Sequence, residues 1–280
     1  MTTAWPLPTT PVEALTLTYL DVETTGLAPG NGGNGDRVCE IALLRMHGKQ
    51  EETRFESLVH PQRSMPPEVT AVHGITEAML VEAPLFVELL PTVRTLLQNA
   101  VIVGHNTRFD LRFLRYEWRA AGHVLPEFPM IDTLALAQTY YRFPHNSLQA
   151  IAAALGVPHV PKHRAMADVL ATRGVLQRFI ADLQQQGPVT LAHLMYPRSQ
   201  HTGAEIVTML MTLQEALPGG VLLHLRYHGW KAPETVRIVQ PLEVYYAGGY
   251  GFLRAFCHLR REERSFRFDR IAELRILTEE

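Results

Sequence analysis

Residues 19–26 read Tyr19-Leu20-Asp21-Val22-Glu23-Thr24-Thr25-Gly26, and they continue an apolar run, residues 14–20, that is rich in β-formers. This pattern predicts a strand that ends at Thr24-Thr25-Gly26. Side chains two positions apart on a strand lie on the same face, so Asp21 and Glu23 should point the same way. Carboxylate oxygens paired in this manner suit Mg²⁺ or Mn²⁺. Two solvated acids at the end of a strand would leave the same pattern.

A second acidic position, Asp110, follows a short apolar run at residues 101–103. The run predicts a buried strand, Gly104 indicates a close approach of the backbone, and a helix with apolar residues at helical spacing follows. We therefore expect Asp110 in the first turn of a helix that begins at the edge of the sheet, where α/β folds tend to bind ligands. An acid in that turn could also serve only to complement the helix dipole.

A third patch contains His163 and Asp168. The pattern predicts a long amphipathic helix that includes Asp168. Pro161 disfavours helical backbone at Val160, which puts His163 on the approach to that helix or in its first turn. From such a position His163 could reach a metal held by Asp168. The alternative is a surface histidine.

The four acids together form a pattern that no single motif provides. Like charges a few ångströms apart suppress each other's ionisation. A pair of divalent cations removes this cost and supplies a centre that cleaves phosphodiesters. The acids therefore favour a two-metal site over four unrelated surface carboxylates.

The ordered set of patches resembles the DEDDh 3′–5′ exonucleases, most closely the DnaQ-like family of the DNA polymerase III epsilon type. The resemblance covers about residues 14–183 and includes two further stretches, Val72-His73-Gly74-Ile75-Thr76 and Ser147-Leu148-Gln149 to Leu155-Gly156-Val157. It implies an RNase H-like α/β fold, with a mixed five-stranded sheet flanked by helices, and removal of nucleotides from 3′ ends with two Mg²⁺ or Mn²⁺ ions. The chain departs from the family in an insert at residues 28–36.

The resemblance also implies a role for each matching position. Asp21 would bridge both metals, Glu23 and Asp168 would hold the metal that carries the attacking water, and Asp110 would support the second metal. His163 would be the general base, since an unperturbed imidazole with a pKa of about 6.5 accepts a proton at neutral pH. The pocket for the terminal nucleotide would be lined by Thr25, Gly26, His73, His105 and Asn106.

Composition sets further bounds on this chain of 280 residues. The apolar fraction of 46% is ordinary for a soluble globular protein, and no run reaches the length of a membrane span. The first residues lack the pattern of a secretory signal, and two cysteines are too few for a disulfide framework, so a cytoplasmic protein is expected. A net charge of −2 argues against a protein that coats duplex DNA, but not against an enzyme that grips one strand end.

The chain is expected to divide into a flexible lead at residues 1–13, a nuclease domain at 14–185, a linker at 186–202 and a second domain at 203–280. The second domain should begin with a helix at residues 204–217. Strands are predicted at residues 221–227, 236–239, 242–246 and 251–257, with a tight hairpin turn at Gly248-Gly249.

The second domain resembles a WYL domain, which implies a small Sm-like, mainly β fold with a regulatory role and a nucleic acid or a small molecule as ligand. The resemblance rests on Pro241-Leu242, on residues 249–257 and on residues 264–271. In place of the tripeptide that names the family, this chain has Gly251-Phe252-Leu253. Arg254, Arg264 and Arg267 are candidate contacts to nucleic acid, since arginine clusters suit phosphate. Alternatively, Arg267 and Arg270 pair with Asp269 and the neighbouring Glu262 and Glu263, which would leave little free charge.

These observations favour a metal-dependent 3′–5′ exonuclease acting on single-stranded or frayed DNA ends, with a C-terminal regulatory or nucleic-acid-binding module. Two alternatives remain open from sequence: an exoribonuclease that trims RNA 3′ ends, and a ligand-sensing regulatory protein with an ancillary nuclease domain. Nothing in the motifs distinguishes the deoxyribose of DNA from the ribose of RNA, because the reaction takes place at the phosphate. No membrane partner is indicated, and association with a polymerase is unsupported by any peptide motif.

Overall fold

A computed structural model describes residues 6, 9–30, 35–159, 164–195, 203–229, 233–247 and 250–277. Among these residues the chain divides into two compact units. The first contains residues 13–126 and 130–188, and the second contains residues 6–12, 127–129 and 189–277. None of the helices in these ranges combines the length and apolarity needed to cross a lipid bilayer.

The first unit is built on a mixed five-stranded sheet. Its strands are β1 (Thr16–Thr24), β2 (Val38–His47), β3 (Gln50–Leu58), β4 (Val101–Gly104) and β5 (Met130–Asp132). Their order across the sheet is β3-β2-β1-β4-β5. The pairs β1–β2 and β2–β3 are antiparallel, whereas β1–β4 and β4–β5 are parallel. The predicted mixed sheet with flanking helices is therefore confirmed, and β1 is its central strand.

Seven helices surround this sheet in the described part of the first unit: α1 (Pro67–His73), α2 (Glu77–Leu80), α3 (Phe86–Leu97), α4 (Thr107–Ala120), α5 (Thr133–Tyr140), α6 (Leu148–Ala154) and α7 (Ala165–Gln184). Helix α7 packs on β1 and β2, and α4 also contacts β1. The core side chains between helices and sheet include Phe113, Trp118 and Phe179, all of which are fully buried. Burial of such large apolar surfaces holds the two acid-bearing helices, α4 and α7, against the central strand.

The second unit contains α8 (Leu191–Met195), α9 (Gly203–Gly219) and a sheet of β6 (Leu223–His228), β7 (Glu234–Ala247), β8 (Tyr250–Cys257), β9 (Glu262–Arg267) and β10 (Ile271–Ile276). The strand order is β10-β6-β7-β8-β9, and every neighbouring pair is antiparallel. Helix α9 packs against β10 and β7. The predicted small, mainly β second domain is confirmed. The predicted turn at residues 248–249 lies outside the described residues.

The strand prediction for β7 was wrong in one respect: residues 236–239 and 242–246 belong to one strand. The first half of β7 pairs with β6 as far as Val239, and the second half pairs with β8 from Val239 onward. Pro241 therefore lies beyond the β6 partner and beside a register shift between Pro241 and Glu243. A proline without an N–H is tolerated at such a position, so it does not end the strand.

The segments expected to be a lead and a linker are partly structured. Thr190 forms a bridge with Pro11, and the backbone N–H of Val12 donates to Val189 O at 3.0 Å. Helix α8 lies inside the segment assigned as linker, and its Leu191 and Leu194 are fully buried. The short α8 escaped prediction because five residues carry too little helical periodicity to be recognised.

Candidate active site

Strand β1 presents two of the predicted acids on one face. Asp21 and Glu23 are partly buried, while Val22 between them is 5% exposed and faces the opposite layer. The two acids are held in register by β2, since Asp21 lies opposite Ala42 and Glu23 lies opposite Glu40. The period of two along a paired strand therefore gives the arrangement that the sequence predicts.

Helix α7 brings Asp168 to the same place. Asp168 lies in the first turn of α7 and is 7% exposed. One oxygen atom from each of Asp21, Glu23 and Asp168 lies within 4.8 Å of the others. Three carboxylates from two elements far apart in sequence thus converge on a point.

Asp110 is attached to the strand that carries the first two acids. It lies in the first turn of α4 and is 3% exposed, and its Oδ1 accepts a hydrogen bond from the backbone N–H of Val22 at 3.1 Å. This contact ties the start of α4 to β1 between Asp21 and Glu23. Asp110 therefore adjoins the cluster formed by the other three acids.

Burial and mutual repulsion disfavour ionisation of these acids. Burial raises the pKa of Glu23 to about 8, with further increases from the charges of Asp168, Glu40 and Asp110, while Arg164 acts in the opposite direction. Burial also raises the pKa of Asp110 to about 8, against hydrogen bonds from backbone N–H groups that lower it. The pKa of Asp21 is raised well above its ordinary value, first by burial and then by the charges of its acidic neighbours.

A divalent cation fits this arrangement. The donor atoms are carboxylate oxygens, which are the ligands that Mg²⁺ and Mn²⁺ prefer. Their separations allow one ion to touch several of them. A cation would also favour the charged form of each acid and so cancel the cause of the raised pKa values. The chemistry of the donor set therefore supports a metal centre at Asp21, Glu23, Asp168 and the adjoining Asp110.

His163, the predicted base, lies outside the described residues, so its role stays a prediction. A different histidine contacts the cluster: His159 Nε2 is 2.6 Å from Asp168 Oδ1, and its side chain is only 7% exposed. Its Nδ1 is buried and has no hydrogen-bond partner among the described residues. The sequence did not single out His159, because its separation of nine residues from Asp168 matches neither the helical nor the strand period.

Glu40 and Arg164 also escaped the sequence analysis. Glu40 is 3% exposed, lies opposite Glu23 on β2, and accepts hydrogen bonds from the guanidinium of Arg164. In the sequence Glu40 is one acid within an apolar run, and only the pairing of β2 with β1 brings it to the cluster. Such long-range pairing cannot be derived from local periodicity.

Thr25 and Gly26, which are predicted to line a nucleotide pocket, are fixed by the far end of the insert. Thr25 Oγ1 accepts from the backbone N–H of Arg37 at 3.0 Å and donates to Asp36 Oδ1 at 3.4 Å. A Cβ atom at Gly26 would lie 2.4 Å from Asp36 Oδ2, so a larger residue there would displace that carboxylate from its contacts with Thr25 and Ala28. The two ends of the insert are joined, since the backbone N–H of Asp36 donates to Ala28 O at 2.9 Å.

The other predicted pocket residues have contacts within the protein. His73 is 2% exposed, and its Nδ1 accepts from the backbone N–H of Ile75 at 3.0 Å. His105 Nδ1 lies 2.9 Å from Thr133 Oγ1, and His105 Nε2 lies 2.9 Å from Asn146 O. Burial lowers the pKa of His105. Asn106 is exposed at the start of α4 with a φ of 67°. Their contact with a nucleotide remains a prediction.

The three arginines proposed for the second unit all have acidic partners. Arg254 lies 3.0 Å from Glu243 and 3.6 Å from Glu263, and Arg264 lies 2.9 Å from Glu262. Arg267 pairs with Asp269 and stacks 3.6 Å above the ring of Tyr250. This geometry supports the alternative in which neighbouring acids neutralise much of the basic run.

The raised pKa values predict that the metal-free protein loses stability as the pH rises. Between the ordinary carboxyl range near pH ~4 and a pH of about 8, the folded state binds more protons than the unfolded state. The free energy of unfolding therefore falls across this window and levels off above it. Asp21→Asn, which removes one of the repelling charges, should raise the Tm in EDTA more at about pH 8.5 than at about pH 5.

Thermal unfolding monitored by circular dichroism measures this difference, with Glu82→Gln as the control at an exposed acid. An equal effect of Asp21→Asn at both pH values would show that repulsion within the cluster does not limit stability.

Comparisons with known proteins agree with this geometry. Residues 18–176 match the sequence profile of a family described as Exonuclease, and residues 208–276 match the profile described as WYL domain. A DNA polymerase III subunit epsilon-like protein of Rhodobacter capsulatus is 34% identical over 69% of this chain and 27% of its own length. The DNA polymerase III subunit epsilon of Treponema pallidum is 30% identical over 66% of this chain and 86% of its own length.

Solved structures show the same fold. Exonuclease I of E. coli in complex with a dT13 oligonucleotide has a TM-score of 0.53 and 18% identity, with 86% of this chain and 55% of that chain covered. Four of the curated relatives, including the Rhodobacter protein, are much longer than this chain, which spans only 13% to 28% of their length. Because the Exonuclease profile matches more than half of the chain, and the Treponema protein is matched over most of its length, this chain belongs to the exonuclease family that the profile describes.

Proposed function

We propose that the protein is a metal-dependent 3′–5′ exonuclease that removes nucleotides from single-stranded or frayed DNA ends. The observation that carries this proposal is the convergence of Asp21, Glu23 and Asp168, whose oxygen atoms lie within 4.8 Å of one another, with Asp110 beside them. An assembly of acids with raised pKa values is costly to a protein that does not use it. It is the arrangement that a two-metal phosphodiester hydrolase requires.

In this proposal the four acids would hold two Mg²⁺ or Mn²⁺ ions, and Asp21 would contribute a ligand to each. When bound, the ions supply an activated water and neutralise charge on the scissile phosphate. The protein's own contribution is to fix the positions of the carboxylates, whose charged form bound cations would favour. Asp110 is held by the backbone of Val22, and Asp168 by its helix, so the ligand oxygens are oriented before any substrate arrives.

The remaining roles concern the proton and the nucleotide. We assign His163 as the general base that takes a proton from the attacking water. Thr25 and Gly26, on the loop that Asp36 fixes, form one wall of the site for the terminal nucleotide. His73, His105 and Asn106 complete that site in the proposal. Both ring nitrogens of His105 have hydrogen-bond partners within the protein, so neither is left for the nucleotide. We therefore infer that His105 shapes the pocket.

DNA is the proposed substrate because several relatives carry names that refer to DNA polymerases, including the epsilon subunit of Treponema pallidum. A 3′-5′ exonuclease DinG of Bacillus subtilis is 31% identical over 68% of this chain. The geometry of the acids does not distinguish the sugars, so RNA is tested alongside DNA.

A degradation assay on matched single-stranded DNA and RNA, labelled at the 5′ end, tests the activity. With Mg²⁺ or Mn²⁺ the DNA should shorten from its 3′ end, and excess EDTA should abolish shortening. Asp21→Ala should also abolish it, because that change removes the shared ligand, while the fold persists because it also removes repulsion.

Glu82→Ala, at an exposed acid, is the matched control and should cleave like the unaltered protein. Full activity in EDTA or in Asp21→Ala would contradict the proposal. Faster cleavage of RNA than of DNA would identify the enzyme as an exoribonuclease.

The base assignment predicts a loss of turnover without a loss of metal. His163→Ala should lower kcat by roughly 10² to 10⁴, the range for a positioned proton acceptor, and leave the affinity for Mn²⁺ unchanged. His123→Ala, at an exposed histidine, is the control. Calorimetry in which Mn²⁺ affinity falls together with kcat would show that His163 is a metal ligand instead.

The second unit is proposed as a regulatory module that binds nucleic acid. Its arginines are engaged with acids at exposed positions, where an ion pair contributes little, so phosphate could take the place of a carboxylate. In an Asp21→Ala background kept in EDTA, Arg254→Ala and Arg264→Ala should each reduce the salt dependence of single-strand binding by about one unit of slope.

Fluorescence anisotropy at several salt concentrations measures that slope, and Arg94→Ala on α3 of the first unit is the control. An unchanged slope in both variants would exclude phosphate contacts at these two arginines and point to a small molecule or a protein as the partner of this unit.

A further inference from the structure

We infer that Glu40 and Arg164 are positioning residues that set the place of Asp168 in the metal centre. This inference rests on the proposed function, since it assigns a task to two residues beside the proposed ligands. Neither residue belongs to the four-acid motif. Both lie where three elements of the site meet: β1 with Glu23, β2 with Glu40, and the start of α7.

Glu40 is bound on both of its carboxylate oxygens. Arg164 Nε donates to Oε1 at 2.9 Å and to Oε2 at 3.1 Å, and Arg164 Nη2 donates to Oε1 at 2.6 Å. The backbone N–H of Ala165 donates to Oε2 at 2.9 Å. The Glu40 side chain is 4% exposed, and that of Arg164 is 44% exposed. A fork of donors and a backbone N–H therefore clamp a buried acid in one orientation.

The clamp acts on the first turn of α7. Arg164 is the residue that precedes α7, and Ala165 is its first residue. The N–H groups of a helix's first turn have no partner within the helix, and a carboxylate there is favoured by the helix dipole. Glu40 supplies that carboxylate from the neighbouring strand. It thereby fixes where α7 begins relative to β1 and β2.

Asp168 is one helical turn from the clamp. Its backbone N–H donates to the carbonyl oxygen of Arg164 at 3.1 Å. A displacement of Arg164 would therefore move the backbone of Asp168 directly. Since Asp21 and Glu23 are held by the same pair of strands that carries Glu40, the clamp fixes Asp168 with respect to both of them.

The same contacts keep Glu40 from acting as a further ligand. Glu40 is the strand neighbour of Glu23 and close enough to raise its pKa. Both carboxylate oxygens of Glu40 are engaged by Arg164 and Ala165, which leaves them less available to bind an ion. A free fifth carboxylate would compete for the ions and alter their number or geometry, which the ion pair prevents.

A second ion pair in the first unit provides a matched control. Glu117 on α4 is 1% exposed and accepts from Arg37 Nε at 2.8 Å, from Arg37 Nη2 at 2.7 Å and from the backbone N–H of Val38 at 3.2 Å. The chemistry is that of Glu40, with a forked arginine and one backbone donor. Glu117 lies seven residues from Asp110, however, whereas Arg164 lies one turn from Asp168.

The experiment measures Mn²⁺ binding to the metal-free full-length chain by isothermal titration calorimetry, without substrate. Glu40→Gln should raise the Kd for Mn²⁺ by about 10- to 100-fold, the usual effect of removing a partner that orients a metal ligand. The number of bound ions should not change. Arg164→Lys keeps the charge but loses the fork, and its Kd should lie between those of Glu40→Gln and the unaltered chain.

Glu117→Gln should lower the Tm as much as Glu40→Gln does, yet leave the Kd for Mn²⁺ unaltered. Equal effects of Glu40→Gln and Glu117→Gln on the Kd would overturn the inference, because general destabilisation would then explain both. An unaltered Kd for Mn²⁺ in Glu40→Gln would also overturn the inference. The loss of one bound ion in Glu40→Gln would overturn it too, because Glu40 would then be a metal ligand. If Glu40→Gln does not fold, Arg164→Lys provides the test, because Arg164 is more exposed than Glu40. A Kd of Arg164→Lys for Mn²⁺ equal to that of the unaltered chain would then overturn the inference.

The unaltered chain separates failure of this inference from failure of the proposed function. If it binds Mn²⁺ and degrades DNA but the variants bind equally well, only the positioning role is wrong. If it neither binds Mn²⁺ nor cleaves, the proposed exonuclease is wrong, and the positioning role is overturned with it.

Discussion

Repulsion among carboxylates at the end of the central strand is the constraint on which the rest of the first unit depends. Asp21 and Glu23 share one face of β1, and Asp168 comes within 4.8 Å of them. Left to itself, such a group would separate or take up protons, as the raised pKa values of Asp21 and Glu23 show. The surrounding elements must therefore hold the acids together in the absence of a cation.

Several different contacts hold the acids, so no single contact has to oppose all of their repulsion. The register with β2 holds Asp21 and Glu23, and the N–H of Val22 holds Asp110. Asp168 is held from two directions, by the clamp at the start of α7 and by the imidazole of His159. The helix that carries Asp168 is packed on the sheet by fully buried residues such as Phe179. The free energy gained by hydrophobic burial thus offsets the destabilisation caused by repulsion among the acids.

The sequence predicted those parts of the site that depend on local periodicity. The strand of Asp21, the first helical turn of Asp110 and the long helix of Asp168 each followed from the pattern of apolar residues around them. Glu40 and His159 were missed, because Glu40 reaches the cluster through strand pairing and His159 contacts Asp168 at a separation that matches no helical or strand period. The same lack of long-range information explains why the sequence predicted two strands where the structure has the single strand β7. From the local sequence Pro241 predicts a break in the strand. Only the change of partner strand, from β6 to β8, shows that this proline is tolerated.

The distribution of positive charge explains how a chain with a net charge of −2 could still act on nucleic acid. Around the site, Arg164, Arg37 and Arg63 are engaged with Glu40, Glu117 and Asp36, so their charges serve the fold and its loops. A phosphodiester approaching this centre would meet carboxylates, and only cations bound among them would make the approach favourable. In the proposed enzyme the ions are then a condition for substrate binding as well as for chemistry. Of these arginines, Arg164 acts one step earlier in the inferred positioning role, by keeping Asp168 where those ions can bind.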